Sequence, residues 1–401
     1  MRKFNQPTYR LAKTVFNIAF GSLMILWPLQ TTADPTASTS NYQNGEFQIA
    51  QAPGGQTPPR GRVRIQGKET EKKLDAPIPI LTVTDHREAM RQFIQSISAY
   101  ARRQNRNFMV LTKDGLDLLV KKDINDDKIS LPARTYMRSI DGVVIDGLFY
   151  GRQLFGLPTD KKVLETRLPL VGQAVNNGIK TFVIDYVKSP QEAQESIKLN
   201  NARNLIPFPA NTPRHLLNTI PPYPRQPIQE NPKSILSIRD VKNFLYLRET
   251  SKFGRQDEFT LNIHGTNYDL VIVDVFHGRS PLSKRAVETL KFKKIGARRL
   301  VFAHIDIGTA ASYRYYWKAR WREGSPFWIK APVPGEPDRY FVQFWQPEWR
   351  RIITGNAKSY VFGAIRQGFD GIVLEGINAY RFFEGTSSEA GSKLGSSGGP
   401  L

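Results

Sequence analysis

The chain has 401 residues and no cysteine, which excludes disulfides, thiolate metal sites and a cysteine nucleophile. An apolar fraction of 40% with 11% aromatic residues supports a sizeable core and excludes a chain disordered throughout. The formal charge of +21 favours anionic partners such as lipid headgroups or acidic polymers, and it describes the surface, not the fold.

Arg2, Lys3, Arg10 and Lys13 precede an apolar stretch over 15–29 and the small-residue run Thr31-Thr32-Ala33. Basic, apolar and small in that order predicts a signal peptide over 1–33, and the run falls short of the roughly 20 residues of a comfortable membrane span. The expected location is secreted or periplasmic, with an uncleaved membrane anchor as the alternative. Residues 34–78, rich in Pro, Gly, Thr, Ser and Gln, predict a disordered linker, and the Gly/Ser-rich residues 386–401 a disordered tail. One domain is expected over 79–385, divided by a Pro-rich joining segment at 211–235 that contains Pro221, Pro222, Pro224, Pro227 and Pro232.

In the first block Asp85 and Glu88 have the spacing of a capping box, and Met90, Phe93, Ile94, Ile97 and Ala101 follow at helical spacing. An apolar run at 108–111 ends in a turn at Asp114-Gly115, and further runs lie at 143–145 and 180–184. Ser189-Pro190-Gln191-Glu192 then reads as a helix start. The second block places strands at 244–247, 270–273, 300–305, 340–344 and 371–374, with helical stretches at 284–294 and 357–367. Short apolar strands separated by helices imply parallel pairing with both faces covered. Three strands and five make eight, the number that closes a (β/α)8 barrel of the TIM type; a ninth candidate at 205–208 is left as an extra strand or a closing loop.

Active sites of such barrels gather at the C-terminal strand ends, where this sequence places Asp146, Asp185, Asp274, Asp306 and Glu375. A single acid there is most often a helix cap, but five converging on one mouth suit glycosidic bond cleavage, which needs a protonated acid and an ionised partner. Of six tryptophans, five fall between 317 and 349 beside Tyr313, Tyr315 and Tyr316. Flat rings with a polar edge suit sugars, whereas the structural alternative for most of them is core packing.

Four runs resemble the endo-α-1,4-polygalactosaminidase family of glycoside hydrolases. They are Tyr268-Asp269-Leu270-Val271-Ile272-Val273-Asp274, Ser312-Tyr313-Arg314-Tyr315-Tyr316-Trp317, Phe344-Trp345-Gln346-Pro347-Glu348-Trp349 and Gly368-Phe369-Asp370-Gly371-Ile372-Val373-Leu374-Glu375. Ile140-Asp141-Gly142 through Leu148-Phe149-Tyr150, and Phe182 to Val187, resemble that family's closing strands, yet here they come first. The resemblance therefore implies a circularly permuted α/β barrel whose Pro-rich segment joins the usual free ends. It implies a hydrolase of an amino-sugar polysaccharide with Glu375 and Asp146 as the catalytic pair. Sugar would be bound by Asp274, Asp185, Asp306, Tyr313, Arg314, Tyr316, Trp317, Trp345 and Tyr150.

The departures bear on catalysis. The family's acid-bearing run after its third strand is here Gly308-Thr309-Ala310-Ala311, and Asn378 stands for an Asp. Lys113-Asp114 replaces a Gln-Asn pair, and Glu375 and Asp146 exchange the family's Asp and Glu. The alternative reading is thus a non-catalytic polysaccharide-binding barrel of the cell envelope. A cationic deacetylated polymer would be repelled by this charge, so an acetylated or acidic polymer, or docking to an anionic envelope surface, fits better. The histidines lack metal-ligand spacing and no Gly-rich phosphate loop is present, so no metal and no cofactor is expected. Lysines and arginines are spread without a recognised motif, so no nucleic-acid partner is expected.

Overall fold

A computed structural model of the chain describes residues 85–122 and 130–385. The expected signal peptide over 1–33, linker over 34–78 and tail over 386–401 lie outside the described residues. The first described helix, His86–Gln104, starts where expected: the Asp85 side chain accepts the Glu88 N–H at 2.9 Å. Its stripe of Met90, Phe93, Ile94, Ile97 and Ala101 is wholly buried.

Eight parallel strands follow, numbered in chain order: β1 (Met109–Lys113), β2 (Gly142–Asp146), β3 (Lys180–Tyr186), β4 (Ile206–Ala210), β5 (Phe244–Tyr246), β6 (Leu270–Asp274), β7 (Leu300–Asp306) and β8 (Gly371–Glu375). Runs such as Leu-Val-Ile-Val-Asp are buried along their whole length, because the barrel interior covers one face and helices cover the other. Those helices include Arg134–Ser139, Lys161–Asn176, Pro190–Asn201, Gln256–His264, Lys284–Leu290 and Tyr360–Gln367. The Pro190 helix is capped as its sequence predicts, Ser189 Oγ accepting the Glu192 N–H.

The chain is a (β/α)8 TIM-like barrel that is nearly closed. Hydrogen-bonded order runs β4-β3-β2-β1-β8-β7-β6-β5, so the first and last strands pair, with Met109 opposite Gly371 and Thr112 opposite Leu374. The gap falls between β4 and β5, which share no ladder among the described residues. The sequence of β4, Ile-Pro-Phe-Pro-Ala, explains it. The Val187 N–H donates to the Ala210 carbonyl, so even-numbered residues of β4 face β3. Pro207 and Pro209 consequently face the gap and have no N–H to offer there. Residues 211–235 then run back toward β5 without a helix, and Pro221, Pro224 and Pro227 border a small cleft with Pro207, Pro209 and Phe244.

One strand assignment from sequence is corrected. The run at 340–344 is not in the barrel; its place in the count of eight is taken by the candidate at 205–208, observed as β4. Residues Glu336–Val342 instead pair antiparallel with Thr309–Ala311 and Ile329–Val333 in a small sheet inserted after β7. Barrel strands are buried on both faces, whereas this strand is half-exposed along most of its length. The cue was composition: an aromatic-rich run looks like a core strand, and Pro207 and Pro209 made a true one look like a loop.

Candidate functional site

Strand register sets which side chains meet at the mouth. Pairing of β7 with β8 puts Asp306 opposite Glu375, and pairing of β6 with β7 puts Asp274 opposite His304. Glu375 is followed by Gly376 at φ 73°, a left-handed turn that only glycine adopts cheaply and where a Cβ would collide with the Asp306 carboxylate. Tyr246 at the end of β5 donates from its hydroxyl to Glu375 Oε1 at 2.6 Å. Lys113 at the end of β1 donates to the same oxygen at 3.1 Å.

Glu375 borders a cavity of about 590 Å³ that Asp274, Asp306, His304, Arg248 and Arg339 also line, with Tyr313, Tyr315, Tyr316 and Tyr360 among its aromatic walls. Arg314 clamps Asp274 with two donors, at 3.1 and 2.6 Å. Asp306 accepts from the Gly308 and Thr309 N–H groups, from the Thr309 hydroxyl and from Arg339. Arg339 also reaches Glu336, so the inserted sheet brings one arginine and one acid to the rim.

Burial alone would raise the Glu375 carboxyl, but Lys113, Arg248 and the Tyr246 hydroxyl outweigh it and hold it well below the ordinary carboxylate range. Glu375 is an anion at neutral pH. Burial lowers His304 in spite of Asp274 and Glu375 nearby, so its imidazole is neutral. Burial and the adjacent carboxylates push Tyr246 and Tyr186 well above the usual phenol range, which keeps both as donors.

The expected catalytic pair meets at a lysine. Lys113 Nζ lies 3.1 Å from Glu375 Oε1 and 3.6 Å from Asp146 Oδ2. Asp146 also accepts from the Tyr186 hydroxyl and has Arg214 at 3.6 Å. Asp146 does not line the cavity, while Glu375 does. One protein ammonium is therefore shared by the two carboxylates.

Of the expected sugar ligands, Asp274, Asp306, Tyr313, Arg314 and Tyr316 line the cavity. Asp185, Tyr150, Trp317 and Trp345 do not. Asp185 is fully buried and accepts from the Phe149 and Tyr150 N–H groups, the Ser196 hydroxyl and the Asn200 amide, so it ties a loop to a helix. Trp345 packs on His86 and Phe383, and Trp317 stacks on Tyr340. Trp328 and Trp349 are core residues in ring contact, 5.5 Å between centroids. The tryptophan density thus serves packing, and tyrosines face the cavity. His277 is pinned between the Thr250 hydroxyl and the Gly254 carbonyl.

Sequence reasoning missed Lys113 as a site residue, noticing it only as a departure from the family pattern. Arg248 and Arg339 carried no motif, and only the fold brings them in. Among the described residues no cluster of His, Asp and Glu has the arrangement of a metal site, and no helix is long and apolar enough to cross a membrane.

Fold and cavity together define a TIM-type barrel protein with a polar, tyrosine-walled pocket at the C-terminal strand ends. No family model matches the chain. It is similar to uncharacterized proteins of Thermotoga maritima (30% identical over 128 residues, 32% of this chain and 38% of the relative) and Methanocaldococcus jannaschii (29% over 159 residues, 38% and 44%). A third, from Deinococcus radiodurans, is 31% identical over 119 residues, 30% of this chain and 36% of the relative. The matched region spans less than half the length of each of these curated relatives.

Proposed function

We propose that this chain is an exported barrel related to the polygalactosaminidase-type glycoside hydrolases, with the permuted strand order that resemblance implies, and that it binds a polysaccharide without cleaving it. The observation that carries the reading is Lys113 shared by Glu375 and Asp146. Two-carboxylate hydrolysis needs the scissile bond to lie between the two groups and one of them to deliver a proton. Here the Lys113 ammonium lies 3.1 Å from Glu375 and 3.6 Å from Asp146, so both carboxylates are committed to a cation of the protein. What remains suits recognition: an open cavity of sugar-chain dimensions, tyrosine walls, and charged donors and acceptors fixed by their neighbours. Export rests on the basic-apolar-small pattern of the first 33 residues.

The test is calorimetric binding of N-acetylgalactosamine oligomers, paired with a reducing-end assay for cleavage of the same oligomers. The expected outcome is saturable binding, weakened by about tenfold or more in Glu375→Gln, because a buried charge-assisted hydrogen bond contributes about 1.5–3 kcal/mol. Cleavage that disappears in both Glu375→Gln and Asp146→Asn would instead establish a hydrolase. Absence of binding to these oligomers and to the acidic ones named below would refute the polysaccharide reading.

A further inference from the structure

The carboxylates of the cavity have their partners within the protein. Asp274 is clamped by Arg314 and Asp306 is held by Arg339 and Thr309. Glu336 is bonded to Arg339, and Glu249 accepts the Ser251 N–H. Glu375 is held by Lys113 and Tyr246. The cations do not balance in the same way. Arg248 follows the end of β5 and lines the cavity with its side chain only 22% exposed. Among the described residues its guanidinium makes no hydrogen bond. It faces the Glu375 charge and has Glu336 at 3.8 Å, already bonded to Arg339, but it is hydrogen-bonded to neither. Arg279, exposed on the same cavity, also has no hydrogen-bond partner among the described residues. The unfilled bonding capacity of the pocket thus includes these guanidinium donors, beside the unpartnered Nε2 of His304.

A guanidinium fork largely withdrawn from water and lacking an acceptor is matched by a planar anion that takes two parallel N–H bonds. We propose that Arg248, supported by Arg279, is the subsite for the carboxylate of a uronic acid unit, so that the bound polysaccharide is acidic. This rests on the polysaccharide reading above and adds the charge of the sugar. It accords with the +21 formal charge of the chain, which concentrates an acidic polymer near the surface before it is bound. Arg248 is anchored independently of its side chain, since its N–H donates to the Leu217 carbonyl at 2.8 Å. Substituting the side chain therefore leaves that backbone bond in place.

The experiment compares oligogalacturonides in the free-acid form with the same oligomers fully methyl-esterified, which keeps the shape and removes the charge. Binding to the full chain is measured calorimetrically at low and high salt. The acid form is expected to bind about tenfold or more tightly than the ester. Arg248→Gln should remove that preference, and Arg248→Lys should restore part of it, keeping the charge without the fork. The exposed Arg279→Gln should reduce the preference and weaken its salt dependence, and it reports independently should Arg248→Gln fail to fold. Equal binding of acid and ester, or equal loss of both in Arg248→Gln, overturns the subsite and leaves the polysaccharide reading standing. Binding of N-acetylgalactosamine oligomers with none of either galacturonide also overturns the subsite alone. No binding of any of the three overturns both.

Discussion

Replacing Lys113 by methionine removes the ammonium shared by Glu375 and Asp146. Both Lys113 and Glu375 have side chains only 9% exposed, and Asp146 is 6% exposed, so water cannot substitute for the lost charge. Removing one partner of a buried ion pair costs about 3–5 kcal/mol, because the other charge is left uncompensated. The pH dependence carries more information than the size. In the wild-type protein Glu375 titrates well below its ordinary value of about 4.3. Its contribution is therefore fully present above that value and is lost as pH falls through the depressed one. In Lys113→Met the largest opposing charge is gone and burial, the strongest influence on this carboxyl, raises it. The carboxyl then titrates at higher pH than in the wild-type protein, so its contribution is smaller and is lost earlier on acidification. Urea unfolding at intervals from about pH 4 to 8 measures both curves. A variant losing under about 1 kcal/mol at pH 7, or showing the wild-type pH profile, would refute the claim that Lys113 holds Glu375 ionised. Lys113→Arg retains the charge and should follow the wild-type profile.

Asp185→Asn is expected to destabilise by about 1–3 kcal/mol, since an acceptor with four donors around it is replaced by a group that itself donates; oligosaccharide affinity should stay unchanged, as calorimetry on the folded variant would show. Lys293→Met should cost about 3–5 kcal/mol by urea unfolding. Its ammonium is fully buried, 2.6 Å from Asp269, and holds the Asn231 and Lys233 carbonyls of the Pro-rich segment. That loss should be accompanied by faster proteolysis within residues 211–235.

The barrel was legible because its strands are nearly uniform apolar runs, and because Asp85, Ser189 and Pro190 mark helix starts with local chemistry. The exchange of 205–208 for 340–344 shows the limit of that signal. Composition speaks of burial, but Pro207 and Pro209 sit where an N–H is not needed, a fact of register that sequence does not carry. The site was legible in part. Glu375, Asp274 and Asp306 reach the cavity because strand ends converge there, whereas Asp185 faces a helix and a loop. Arg248 and Arg339 were not legible, since one lies just past a three-residue strand and the other on an inserted sheet. Lys113 was visible as a departure from a pattern, and only distances turned it into the group that two carboxylates share.

The open join between β4 and β5 gives the barrel an unequal temperament. Elsewhere its staves are stitched by backbone hydrogen bonds, but here closure depends on side chains such as Phe208 and Phe244, whose rings lie 5.4 Å apart, and on Phe182 at 5.2 Å from Phe244. Contacts of this kind weaken on cooling, while backbone ladders do not depend on water in the same way. The join is thus the place where the cylinder loosens in the cold. Amides bordering it should exchange with solvent sooner at 4 °C, relative to those of β1 and β8, than they do near room temperature.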